Sequence, residues 1–267
     1  MKIVLTLFLT IGILFSHPVY SEEVSLAFMK EEEARSGEYV FKETLEKRST
    51  YSSSIKRFLS NGRTYYKFIE NGQGDYDIYK DITWENIARL EEIDNSLYPI
   101  YSTQVIKDKD GKIIIEYKKL FDYDKNKIFY TAKDSSGNII KENTFPIKGK
   151  TADNVTLSYF LRTYIANRGN KKDRSFYLLS SEPKLYRINL KFYKTEVIKL
   201  PFGEKEAVKV RLIPDLGILS GLVGAFIPPT YMWFKDVSPH NWLKYEGLET
   251  GLGSSVIITH ITSAYIE

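Results

Sequence analysis

From Gly37 onward, apolar and polar side chains alternate with a period of two, and this restricts the fold more than any other feature of the chain. Successive side chains of a strand point to opposite faces, so alternation means one covered face and one wet face. Across residues 185–192, Tyr186, Ile188, Leu190 and Phe192 share one face while Arg187, Asn189 and Lys191 share the other. Ile113, Ile115 and Tyr117 are set against Lys112, Glu116 and Lys118 in the same way. Val208, Val210 and Leu212 alternate with Lys209 and Arg211. Residues 64–70, 128–132 and 255–261 are further aromatic or β-branched runs. Asn61-Gly62, Asn71-Gly72 and Asp110-Gly111 offer the positive φ angles of tight hairpins, with weaker turn marks at Ser136-Gly137 and Pro201-Phe202-Gly203. The expectation is a mainly β (β-rich α+β) protein, an antiparallel meander of roughly ten strands.

One segment leaves this pattern. Leu157, Phe160, Leu161, Tyr164 and Ile165 recur at helical spacing, with Asp153 placed to cap the helix and Gly169 placed to end it. Its apolar stripe needs an apolar surface, and the sheet is the candidate. Residues 83–93 read as a weaker helical stretch or an irregular strand connection, and residues 22–36, acidic and weakly amphipathic, as a short helix or an ordered lead-in. Residues 216–229 carry no charge, read Leu-Gly-Ile-Leu-Ser-Gly-Leu-Val-Gly-Ala-Phe-Ile-Pro-Pro, and are too short to span a bilayer as a helix. They fit either a buried plug or an apolar loop that covers a cavity or makes peripheral membrane contact.

The first residues address the compartment. Lys2, the apolar run from Ile3 to Phe15, then Val19-Tyr20-Ser21 before Glu22-Glu23 form the three parts of a secretory signal peptide. The expectation is a leader over residues 1–21, a single β-rich domain over 22–267 and a periplasmic mature chain without a lipid-anchor cysteine. The whole chain has 267 residues and no cysteine, so its core and not disulfides must hold it. The net charge of +4 is spread among mixed acids and bases, unlike the clustered footprint of a nucleic-acid binder.

Chemistry-bearing constellations are sparse. Beyond the leader the histidines are His240 and His260, which is poor material for a zinc site, and no metal or other cofactor is expected. There is no Gly-x-Ser-x-Gly elbow and no phosphate-cradling glycine loop. The reading is a non-catalytic protein.

Three stretches, in order, resemble a family of exported bacterial proteins of unknown function, DUF3108. They are Asp153-Asn-Val-Thr-Leu-Ser-Tyr-Phe-Leu-Arg162, then Leu200-Pro-Phe-Gly203 with Ala207-Val-Lys-Val, then Tyr231-Met-Trp233-Phe-Lys-Asp236 with Leu243-Lys-Tyr-Glu and Gly253-Ser-Ser-Val. The resemblance singles out Asp153, Thr156 and Arg162. It implies a lipoprotein-carrier-like architecture, a curved antiparallel sheet or half-open barrel wrapped around one amphipathic helix. Such a hollow suits an apolar ligand such as a lipid or acyl chain. Its mouth would be Leu219, Leu222, Val223, Phe226, Tyr231 and Trp233, and its floor Phe160, Leu161 and Tyr164. Arg162 is expected to pair with a strand carboxylate or to snorkel. The alternative is an envelope interaction or assembly factor with a filled core.

Overall fold

The computed structural model describes residues 32–169, 174–181, 183–215, 217, 227–250 and 254–263. The first strands are β1 (Glu32–Phe41), β2 (Lys47–Ser60), β3 (Arg63–Tyr76), β4 (Tyr79–Ile93) and β5 (Ser96–Lys107). There follow β6 (Ile113–Asp122), β7 (Lys127–Asp134), β8 (Ile139–Pro146), the short β9 (Thr151–Asp153) and the helix α1 (Leu157–Ala166). The remaining strands are β10 (Ser175–Leu179), β11 (Leu185–Leu200), β12 (Gly203–Pro214), β13 (Thr230–Lys235), β14 (Trp242–Leu248) and β15 (Val256–Ile261).

All fifteen strands described belong to one sheet, ordered β8-β7-β6-β5-β4-β3-β2-β1-β15-β14-β13-β12-β11-β10-β9. Two meanders therefore run outward from a central seam, where β1 pairs with β15 and Gly37 stands opposite Ile261. Strands β9 and β10 run parallel and the other pairs antiparallel. The sheet is bent but not closed. Strand β9, at one end, packs on β5, the fourth strand from the other end, and α1 sits in the hollow against β5, β9 and β14.

The helix stripe does what its spacing requires. Phe160 and Tyr164 pack on Phe176 with ring centroids 5.2 and 5.9 Å apart, and Leu161 and Ile165 are fully covered. Burying each such side chain stabilises the fold by roughly 1.5–3 kcal/mol. The helix termini differ from the sequence reading. Thr156 is the N-cap and Asn167 the C-cap, three and two residues inside the positions expected from Asp153 and Gly169. Asp153 instead accepts the Thr156 amide N–H at 3.0 Å and the Thr156 hydroxyl at 2.6 Å, closing the turn that feeds the helix.

Other expectations also change. Residues 83–93 belong to β4, whose inward side chains are Ile82, Trp84, Asn86, Ala88 and Leu90. A polar and a small residue on the covered face disguised the alternation. Residues 32–36 open β1, and Glu33 and Arg35 point inward. Asn71-Gly72 is no turn. It lies inside β3, where the Trp84 ring lies flat on Gly72: a Cβ there would stand 2.0 Å from Trp84 Cζ2. Asn61-Gly62 keeps its turn role, with φ of 52° and 73°.

Candidate functional site

Two buried ionic clusters fasten the helix region to the sheet. Arg162 on α1 is fully covered and donates from both terminal nitrogens to the Glu33 carboxylate on β1, at 2.9 and 2.8 Å. Asp153 is fully covered as well. Burial alone would raise its carboxyl, but Lys119 on β6, 3.1 Å away, and the Ser102 and Thr156 hydroxyls hold it below the ordinary range. These two contacts clamp β9 and α1 onto the concave face of β1, β5 and β6, and so keep the hollow from closing differently.

What remains beside the helix is a cavity of about 700 Å³. That is the size of a small-molecule site, for which about 300–1,000 Å³ is usual. Its wall on β11, β12, β13 and the segment before β13 is mainly apolar, with Ile188, Leu212, Pro214, Ile227, Pro228 and Met232, though Asn189, Arg211, Asp215 and Thr230 also reach it. Leu157 and Ser158 face it from α1, and Trp242 from β14.

The opposite wall is different. Read straight across the sheet in register, Arg35 stands opposite Ser53, Ser53 opposite Glu70, Glu70 opposite Asn86, and Asn86 opposite Gln104. One polar side chain from each of β1 to β5 thus forms a transverse row on the concave face, and all five are buried. The row runs between two apolar clusters. Tyr51, Trp84 and Ile106 occupy the next register on one side, and Ile55, Phe68 and Ala88 the next on the other. Arg35, Glu70, Asn86 and Gln104 line the cavity.

Local contacts hold the row in place. Arg35 donates to the Ser53 hydroxyl at 3.0 Å and to Ser158 at 3.2 Å, and its guanidinium lies over Tyr159 and Trp242. Asn86 donates to Glu70 at 2.9 Å, and Gln104 to the Tyr76 hydroxyl at 3.4 Å. Burial pushes the Glu70 carboxyl up, and Arg35 and Asn86 offset only part of the rise. Asn86 Oδ1 is buried and accepts no hydrogen bond among the described residues. An unmatched buried acceptor costs about 1–3 kcal/mol. Nearby, Glu249 receives Arg48 at 3.1 Å and the Asp77 amide N–H at 3.1 Å, yet burial pushes its carboxyl up to about 6 against these partners.

The residues expected to form the site are only partly brought together. Phe160, Leu161 and Tyr164 are buried in the helix–sheet packing and do not line the cavity. Tyr231 and Trp233 lie on the other face of β13, where Trp233 Nε1 donates to Glu196 at 2.6 Å beneath Lys209 and Lys244. Thr230 and Met232, one residue out of step, face the cavity instead. A shift of one residue in a strand exchanges its faces. Leu219, Leu222, Val223 and Phe226 lie outside the described residues. Asp153, Thr156 and Arg162 are structural anchors of the helix. The polar row escaped the sequence reading altogether. Its signal was present as hydrophilic residues at inward positions, readable only once the register was known.

Among the described residues no group of three or more His, Cys, Asp or Glu side chains could hold a metal ion. No curated protein matches the chain. Among solved structures it is similar to a β-barrel-like protein of the domain of unknown function DUF1849 from Brucella abortus. That pair shares 12% identity over 88% of this chain and 97% of the other, with a TM-score of 0.49. A lipoprotein candidate from Parabacteroides distasonis is similar at 9% identity over 88% and 95%, with a TM-score of 0.37. Residues 93–257, more than half of the sequence, match the profile of a family described as proteins of unknown function, and the chain belongs to that family, DUF3108.

Proposed function

We propose that this is an exported cell-envelope protein that binds an apolar ligand, a lipid or acyl chain, without catalysing its conversion. The observation that carries the reading is the cavity of about 700 Å³ held open between α1 and the bent sheet, one wall of it mainly apolar. A filled core, as an assembly factor would have, leaves no such space. The N-terminal pattern of Lys2, the apolar run to Phe15 and the Val19-Tyr20-Ser21 site supports export to the periplasm.

Trp242 lines the cavity and reports on its contents. With Trp84→Phe and Trp233→Phe leaving Trp242 alone, a brominated acyl chain should quench its emission. Native mass spectrometry of protein purified from envelopes should show a bound lipid mass. Bare protein together with unchanged emission would remove the proposal.

A further inference from the structure

The transverse row offers hydrogen bonds that the protein does not itself complete. Asn86 spends its amide N–H on Glu70, and its Oδ1 meets no donor among the described residues. Exchanging the amide atoms gives no relief, because it would set Oδ1 against the Glu70 carboxylate. Thr259 on β15 also lines the cavity, and its buried hydroxyl likewise has no partner among the described residues. Gln104 and Arg35 complete the polar stretch, while the facing wall is mainly apolar through Ile188, Leu212 and Met232, with Arg211 and Thr230 among its few polar side chains. The cavity is therefore amphipathic across its width.

We infer that the row is a headgroup subsite, and that the occupant is a single-chain amphiphile whose head carries hydroxyl groups, of the monoacylglycerol type. This rests on the apolar-ligand reading above and adds the chemistry of the head. A hydroxyl donates to Asn86 Oδ1 and accepts from Gln104, the register neighbour of Asn86, at once, since a hydroxyl carries both a donor and lone pairs. A wholly apolar ligand would leave the row unmatched. A free carboxylate would bring acceptors alone to a stretch that already holds Glu70 and an unmatched amide oxygen.

The test compares three probes with one chain length, each below its micelle concentration: 1-monolaurin, methyl laurate and laurate. Binding is followed by Trp242 emission and native mass spectrometry. Monolaurin should bind about tenfold tighter than methyl laurate, the worth of roughly one hydrogen bond to a buried acceptor. Asn86→Leu, similar in volume, should erase that preference, so that monolaurin and methyl laurate bind alike. Equal binding of monolaurin and methyl laurate overturns the headgroup subsite and leaves the apolar-ligand reading standing. Tightest binding of laurate overturns it too, in favour of an anionic head near Arg35. A preference that survives Asn86→Leu moves the head away from the row and overturns the assignment. Failure of all three probes to bind removes the apolar-ligand reading and this inference with it. The wild-type comparison decides even if the variant does not fold.

Discussion

Arg162 and Arg35 both place a guanidinium over the ring of Tyr159, at 4.8 and 5.1 Å from its centroid, and both are buried. Their surroundings diverge. Arg162 grips Glu33 with two parallel hydrogen bonds, a geometry that leaves little for any outside molecule. Arg35 touches the Ser53 and Ser158 hydroxyls and lies in a row whose next members, Glu70 and Asn86, share one hydrogen bond and keep an oxygen unmatched. The first arrangement fixes the position of the helix. The second leaves a buried oxygen unmatched that an apolar row would not carry.

The contrast can be tested by mutation. Arg162→Met strands the buried Glu33 carboxylate and should remove about 3–5 kcal/mol of stability in denaturant unfolding. A loss under about 1 kcal/mol would erase the distinction between the two arginines. Gly72→Ala, in the register beside the polar row, drives a methyl group into the Trp84 ring and should cost about 1–3 kcal/mol. Near-UV circular dichroism should show the displaced ring, and an unchanged spectrum would mean the packing around Trp84 is soft.

Glu249 stands between the two extremes, paired with Arg48 but keeping one buried oxygen, Oε1, without a partner among the described residues. Its carboxyl is raised from 4.5 to about 6 on folding, so between these pH values the folded state holds more protons than the unfolded. Stability should therefore fall by about 2 kcal/mol as pH rises through that window, and stay lower above it. Glu249→Gln should flatten this slope in unfolding experiments from pH 4 to 7. A slope that persists assigns the proton elsewhere. The smallest effect is expected at the row itself. Asn86→Leu should change stability by less than about 1 kcal/mol in either direction, because it removes an unmatched acceptor along with its one hydrogen bond. A loss as large as that of Arg162→Met would make the row a structural element.

The strands and the helix could be read from the chain because alternation and the Leu157–Ile165 stripe are local properties. The pairing of Arg162 with a strand carboxylate was also foreseeable in kind, since a charge inside a helix stripe must find a partner. The site was not, and the misreadings cluster on it. Arg35 fell in a segment taken for an acidic lead-in, Gly72 beside Glu70 resembled a hairpin turn, and Asn86 made β4 look helical. Each polar row member broke the local pattern of its own strand, and only five strands laid in register turn these exceptions into one feature. Tyr231 and Trp233 misled for a different reason. Large aromatic side chains suggest an interior, but here the ammonium groups of Lys209 and Lys244 lie over them on the outer face.

The pairing of β1 with β15 joins the two ends of the sequence in the middle of the sheet. Each meander can form from neighbours in sequence, but the join between them brings Gly37 to Ile261 across almost the full length of the chain. Until the C-terminal strand arrives, Arg35 and Trp242 belong to separate half-sheets, and the chamber has no enclosure in which to hold anything. That join, between strands farthest apart in sequence, is by contact-order reasoning expected to form late, and the cavity is enclosed only once it has.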